Sequence, residues 1–204
     1  MGFMAELCFF TGTMDSGKST LAMQTDYNFA RNGRPGLVFT SHDRAGVGRI
    51  TSRIGLETPA IEVSPDMDIY AYVQNALADG PVEYLVLDET QFYTAAQIEQ
   101  LARIVDELGI TVYAFGITTD FRGVMFPGSA RLIELADRVE WLQLRNLCWC
   151  GERATHNARK VNGKMVTEGE ILVLGDTQDD AAAGVVTYEV LCRRHHMNHM
   201  VSPG

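Results

Sequence analysis

The sequence predicts an α/β fold in which a mainly parallel sheet carries helices on both faces, with a small β unit following it. Three observations carry this prediction. Short apolar runs alternate with segments of helical spacing through the first two thirds of the chain. A glycine-rich loop, Gly12-Thr13-Met14-Asp15-Ser16-Gly17-Lys18-Ser19-Thr20, stands between a strand-like run and a helix-like one. From Leu147 onward, cysteines, histidines and short β-branched runs replace the alternation. Strands joined through helices need right-handed crossovers, which lay the strands parallel and cover both sheet faces. The division falls at residues 1–145 for the α/β unit and 146–204 for the β unit.

Taken in order, Leu7-Cys8-Phe9-Phe10 reads as a buried strand and residues 19–31 as a helix. Gly33-Arg-Pro-Gly36 turns the chain into the strand Leu37-Val38-Phe39. Residues 41–55 hold three glycines and three arginines without apolar periodicity, and read as a mobile loop with room for a short helix. Ile61-Glu62-Val63 is a short strand. Residues 68–79 place Ile69, Tyr72, Val73, Ala76 and Leu77 on one helical face. The apolar run Tyr84-Leu85-Val86-Leu87 ends at Asp88-Glu89. A helix over 95–108 is closed by Gly109, and a strand over 111–115, a helix over 130–136 and a strand over 139–144 complete the unit. In the C-terminal part, Lys160-Val161, Met165-Val-Thr167 and Ile171-Leu-Val-Leu174 read as β segments, and 179–184 as a flexible loop.

Composition excludes several classes. Of 204 residues, 46% are hydrophobic and 21% charged, enough apolar material to bury a core. No apolar stretch is long enough to span a bilayer, and no basic segment precedes a cleavable apolar one. The expectation is a cytoplasmic protein that uses no membrane. A net charge of -9 argues against a nucleic-acid polymer as ligand, because such binders present basic surfaces. It does not oppose an anionic nucleotide held by backbone amides and one lysine. Of the four cysteines, Cys8 reads as a core residue, whereas Cys148, Cys150 and Cys192 cluster towards the C-terminus.

The loop from Gly12 to Thr20 fills every fixed position of the phosphate-binding pattern GxxxxGK[ST]. Its glycines let the backbone curl around one anion, and the following helix adds positive charge at its N-terminus. Lys18 would reach the β- and γ-phosphates, and the Ser19 hydroxyl would sit on Mg²⁺. Asp88, at the end of a buried strand, suits a magnesium position. Glu89 is then spare and suits a base that activates an incoming hydroxyl or water. Cys148-Trp-Cys150 and Cys192-Arg-Arg-His195 read as the two halves of a zinc site, with His196 and His156 as alternative ligands. Such a site would staple a β unit too small to bury its own core.

With these motifs in hand, the chain resembles the zinc-containing thymidine kinases. The matching residues run nearly end to end: the G-x-M-x-S-G-K-S-T loop, Asp88-Glu-Thr-Gln-Phe92, Thr119-Asp-Phe-Arg122, the paired metal ligands and Tyr188-Glu-Val-Leu-Cys192. The resemblance implies phosphoryl transfer from ATP to the 5′-hydroxyl of thymidine, with Glu89 as base and Lys18, Ser19 and Asp88 at the triphosphate and magnesium. It implies that Phe121 stacks on the base and that Met14 and Ile117 line the pyrimidine pocket. Gln91 and Phe92 join them as substrate contacts, although residue type alone favours packing for Phe92 and Phe126. Arg44 falls near an arginine that approaches the phosphates, and Tyr188 in the lasso that closes over the nucleoside. A homotetramer and inhibition by thymidine triphosphate (dTTP) are further implications.

Several positions depart from the family pattern. The first metal pair has one intervening residue instead of two, and His195 replaces the commoner fourth cysteine. The segment between Gly175-Asp176 and Tyr188 is longer than usual, and Asp176 stands where a second glycine is common. Asn157 stands where a threonine often lines the base pocket. These changes bear on the choice between thymidine and deoxyuridine. Two other classes share some of the motifs. A phosphate-loop ATPase acting as motor or switch would use Glu89 on water. A zinc-ribbon nucleic-acid module would need a basic tail, whereas residues 166–190 are acidic.

Overall fold

The computed structural model describes residues 4–41, 48–142, 146–171 and 185–203. Arg44, the Ile171-to-Leu174 run beyond Ile171, and the 179–184 loop lie outside them. The α/β part runs β1 (Leu7–Gly12), α1 (Lys18–Arg31), β2 (Gly36–Thr40), β3 (Arg49–Thr51), β4 (Glu57–Pro59), β5 (Ile61–Glu62) and α2 (Ile69–Asp79). It continues with β6 (Tyr84–Leu87), α3 (Ala95–Leu108), β7 (Thr111–Ile117), α4 (Pro127–Leu135) and β8 (Arg138–Trp141). The remainder is β9 (His156–Val161), β10 (Lys164–Val166), β11 (Val186–Leu191) and α5 (Arg193–Met197).

Six strands form one sheet in the order β5-β2-β6-β7-β1-β8, and every pairing in it is parallel. The strands alternate between two apolar faces. Leu85 and Leu87 of β6, Val112 and Ala114 of β7, and Leu7 and Phe9 of β1 enter one core with α2 and α3. Tyr84, Val86 and Phe115 face the other side and pack with Ala22 of α1. Side chains two apart share a face, so a run that is apolar throughout must be covered on both sides. This is the arrangement the sequence predicts.

Local chemistry sets the helix ends. Asp68 caps α2 by accepting from the Ala71 N–H at 2.9 Å. Thr94 and Gln97 form a reciprocal capping box on α3, and Gly109 closes it in the left-handed conformation (φ 67°). Helix α4 starts at Pro127, three residues before the expected 130, because proline suits a first helical position where no N–H bond is needed. Strand β7 extends to Ile117 instead of 115, and β8 covers 138–141, one residue earlier at its start than the expected 139–144, of which 143 and 144 lie outside the described residues. Within the stretch expected as a loop, β3 pairs antiparallel with β4. Ile171 is not in a strand. Antiparallel β10-β9-β11 makes the small C-terminal sheet.

The turn after β6 fits tightly. Thr90–Phe92 forms a single 3₁₀ turn, and the Thr90 hydroxyl donates to the Phe115 carbonyl at 2.9 Å. Gly128 of α4 presses on this turn. A Cβ there would lie 2.6 Å from the carbonyl oxygens of both Thr90 and Tyr93. These are backbone atoms and cannot swing aside, so Gly128→Ala is expected to lose about 2 kcal/mol of stability and several degrees of melting temperature. Thermal unfolding reads this directly, and an unchanged melting point would mean that α4 does not seat on the turn this closely.

Candidate nucleotide site and metal centre

Strand β1 delivers the phosphate loop at the carboxyl end of the sheet. A Cβ on Gly12 would lie 2.6 Å from the Ser16 hydroxyl, so any side chain there would displace Ser16. Gly17 has φ 78° and Asp15 φ 63°, so the loop curls through two left-handed residues before α1 begins at Lys18. The Lys18 ammonium is buried and donates to the Thr13 carbonyl at 2.7 Å and to the Ser16 hydroxyl at 3.3 Å. Burial pulls its pKa down, against the nearby Glu89, Asp88 and Asp15 carboxylates. Thr13, Met14, Ser19 and Thr20 are half-buried, and Asp15 is exposed at the crest and ion-paired to Arg53 of the β3–β4 hairpin.

Asp88 and Glu89 follow β6 beside this loop. Asp88 is 1% exposed, and burial first, then the Glu89 charge, raises its pKa to about 7 against the Ser19 hydroxyl and Lys18. Its Oδ2 is buried without a hydrogen-bond partner. A buried carboxylate oxygen without a partner, on a group that also meets the Ser19 hydroxyl, fits a hard divalent cation. Glu89 adopts a left-handed conformation (φ 54°, ψ 35°) that is uncommon for a side chain with a Cβ. The Gln91 amide donates to the Glu89 carboxylate and accepts from the Ile117 N–H at 3.2 Å. Thus Glu89, Gln91 and Ile117 form one hydrogen-bonded chain across β6 and β7.

The loop after β7 carries Phe121. Asp120 braces it, accepting from the Arg122 N–H at 2.8 Å and the Val124 N–H at 3.1 Å while pairing with the Arg122 guanidinium. Phe121 is buried, and Arg159 of β9 covers its ring at 3.8 Å. Arg159 in turn donates to the carbonyls of Glu170 at 2.5 Å and Glu168 at 3.2 Å. Phe92 packs edge-to-face on Phe126, with ring centroids 5.6 Å apart. Tyr188 stands in β11 opposite Arg159.

The C-terminal ligands converge. Donor atoms of Cys148, Cys150, Cys192 and His195 all lie within 4.8 Å of one another. His195 Nδ1 is 3.3 Å from the Cys148 sulfur and 3.4 Å from the Cys192 sulfur. Zinc bonds of about 2.3 Å to sulfur and 2.0–2.1 Å to nitrogen, at tetrahedral angles, set donors about 3.5–3.8 Å apart, so this set fits zinc. Burial resists ionisation of Cys148. The backbone N–H groups of Cys150 and Cys192, with the His195 side chain, outweigh it and bring the thiol down to about 7. The fourth position therefore goes to His195. His196 instead points its Nε2 at the Phe121 carbonyl, 2.9 Å away, and His156 Nδ1 lies 2.9 Å from the Thr155 hydroxyl.

Sequence reasoning did not find Asn146, Arg159, Arg53 or the bond from His196. Asn157 was singled out only as a departure at a base-pocket position. Apart from the Arg159 bonds to Glu168 and Glu170, the partners of these residues lie far along the chain, so no spacing marks them.

The strand–loop–helix unit, with an Asp-Glu pair on the next strand but one and an attached Cys₃His cluster, defines a phosphate-loop nucleotide-binding α/β protein. Comparison with known proteins narrows this class. The thymidine kinase family model matches residues 5–196. A thymidine kinase of Streptomyces avermitilis is 58% identical over 200 residues, covering 98% of this chain and 92% of the relative. Thymidine kinases of Streptomyces coelicolor and Cutibacterium acnes are 56% and 54% identical, over 98% and 95% of this chain and 92% and 88% of their own lengths. The chain belongs to the thymidine kinase family.

Proposed function

We propose that this protein transfers the γ-phosphoryl group of ATP to the 5′-hydroxyl of thymidine, giving thymidine monophosphate. The observation that carries this beyond family membership is the chain from Glu89 through Gln91 to the Ile117 backbone. It supports Glu89 as the base by holding its carboxylate, through Gln91, to the end of β7. Glu89 accepts the proton of the 5′-hydroxyl, held in place by Gln91. Lys18 and the amides from Asp15 to Thr20 bind the triphosphate, joined by Arg44. Met14, Ile117, Phe92 and Phe121 enclose the pyrimidine, and Tyr188 closes over it. Ser19 and Asp88 hold Mg²⁺, which neutralises charge on the phosphates when bound. The Cys₃His zinc is structural.

We further assign a phosphate-loop domain at 1–145 and a zinc-bearing, substrate-covering subdomain at 146–204. A homotetramer, feedback inhibition by thymidine triphosphate and a cytoplasmic location belong to the same reading. No helix among the described residues is long and apolar enough to cross a membrane. The deciding experiment follows ATP consumption with thymidine, deoxyuridine, deoxycytidine or no nucleoside, reading products by mass. Thymidine-dependent monophosphate supports the kinase. Nucleoside-independent phosphate release would make the protein an ATPase.

A pH dependence follows from Asp88. Its pKa rises on folding from 3.8 to about 7, so the folded apo protein keeps a proton that the unfolded chain has released. This group's contribution to apo stability therefore falls as pH rises between those two values. Cation binding needs the carboxylate, so affinity for Mg·ATP should strengthen as pH rises through about 7. Titration calorimetry at a series of pH values checks this; an affinity flat across that window would show that Asp88 does not give up a proton on binding.

A further inference from the structure

Strand β2 ends on a hydroxyl that the fold buries and leaves unbonded. Thr40 is 0% exposed, and its Oγ1 has no hydrogen-bond partner among the described residues. Burying such an atom costs stability, and valine would fill the same branched shape without that cost, so packing alone does not account for the hydroxyl. Its direction follows from the strand. Leu37 and Phe39 pack in the core with α2 and α3, whereas Val38 packs on the α1 side, so Thr40, two residues beyond Val38, faces α1. On β6, Val86 packs on the α1 side too, and Asp88, two residues further, meets the Ser19 hydroxyl at the start of α1.

The two strands run parallel with Phe39 opposite Leu87, and the Asp88 N–H donates to the Phe39 carbonyl at 2.9 Å. Thr40 and Asp88 are therefore neighbours across the pair, on one face. Glu62 of β5 stands in register on the other side of Thr40 and places a second carboxylate beside it. Thr40 Oγ1 and Asp88 Oδ2 are both buried without a partner, so they do not bond each other. Neighbouring strands lie about 4.8 Å apart, a span that one oxygen about 2.8 Å from each side chain closes. Magnesium takes few protein oxygens and keeps several of its waters. A water on the ion has two hydrogens to donate, and these two oxygens are adjacent acceptors in a negative surrounding. We propose that Thr40 is a positioning residue for the magnesium of Mg·ATP: its hydroxyl, together with Asp88, anchors one water of the ion and so fixes where the cation meets the triphosphate. This rests on the reading of Ser19 and Asp88 as the magnesium position.

The test measures ATP affinity by calorimetry, once with magnesium and once with a chelator in its place, for wild type, Thr40→Val and Thr40→Ser, with melting temperatures alongside. Wild type should bind Mg·ATP more tightly than metal-free ATP. Valine keeps the branched shape and removes the hydroxyl. The gain from magnesium should then fall about tenfold, as expected for one lost hydrogen bond to an ion-bound water, while metal-free ATP binds as before. Thr40→Ser keeps a hydroxyl and should recover most of the gain. The magnesium concentration for half-maximal turnover should rise in the valine variant and stay near wild type in the serine one. Should Thr40→Val fold poorly, Thr40→Ala also lacks the hydroxyl and is read against Thr40→Ser in the same way. Equal losses with and without magnesium, a serine variant no better than valine, or a valine variant with the full magnesium gain overturns the inference and leaves the kinase reading intact. A wild type whose ATP affinity ignores magnesium overturns the assigned magnesium position together with Thr40. Phosphate release without any nucleoside overturns the kinase reading alone, because the magnesium gain is read from binding.

Discussion

Glu89→Gln is expected to lower kcat by about two to four orders of magnitude, the usual contribution of a positioned general base, while ATP binding changes little. The substitution keeps the shape of the side chain and removes its capacity to take a proton. Geometry should survive it. The Gln91 amide that donates to the Glu89 carboxylate can donate equally to a glutamine carbonyl, and its other bond, to the Ile117 N–H, is untouched. The left-handed backbone at position 89 is retained, because it is fixed by the 3₁₀ turn and by the Thr90 bond to Phe115. Lys18, proposed for the triphosphate, and Asp88, proposed for its Mg²⁺, are untouched by the substitution. Steady-state kinetics with thymidine and calorimetry with ATP separate the two effects. Turnover close to wild type would remove Glu89 as the base and point to direct loss of the hydroxyl proton to the phosphate.

The parts of this site that were legible in the sequence are those whose chemistry is local. The phosphate loop is legible because Gly12, Gly17, Lys18 and Ser19 must follow one another to curl a backbone around an anion. Asp88 and Glu89 are legible because a short apolar run that ends in carboxylates marks the carboxyl end of a buried strand. Three cysteines and a histidine in two close pairs announce a metal by residue type, although choosing His195 over His196 needed the fold. The contacts of Asn146 and Asn157 to Met14 cross more than 130 positions, so no spacing marks either residue, and only the resemblance draws attention to Asn157. The β3–β4 hairpin was hidden for a different reason: Arg49-Ile-Thr51 offers a single buried side chain, too little alternation to separate a strand from a loop. The start of α4 was hidden because Pro127-Gly128 reads as a breaker, although proline is at home in a first helical turn and Gly128 is required by its contact with Thr90 and Tyr93.

Cys192→Ser should abolish stoichiometric zinc binding and unfasten the C-terminal sheet, with thymidine affected more than ATP. The apolar core of that sheet contains Cys148, Ala158, Leu191 and Cys192, with Met165 and Val201 against it. Two of its four buried members belong to the Cys₃His set that fits zinc, so little apolar burial remains to hold the element without an ion. Serine at position 192 offers a hydroxyl that stays protonated where a thiolate is needed. The loss then spreads along identified bonds. His196, next to the ligand His195, holds the Phe121 carbonyl at 2.9 Å, and Asn146, two positions before Cys148, holds the Met14 carbonyl. Both contacts lie on the side of the pocket assigned to the base. Lys18 and Ser19, proposed for the triphosphate, belong to α1, which follows β1 of the six-stranded sheet and lies outside the Cys₃His segment. KM for thymidine should therefore rise by about tenfold or more, the equivalent of at least one lost buried hydrogen bond, with a smaller change for ATP. Metal analysis on the purified variant comes first, followed by its melting curve and the two KM values. Full zinc content would show that the ligand set is wrong. Equal losses for thymidine and ATP would mean that the metal supports the whole fold instead of acting through Phe121 and Met14.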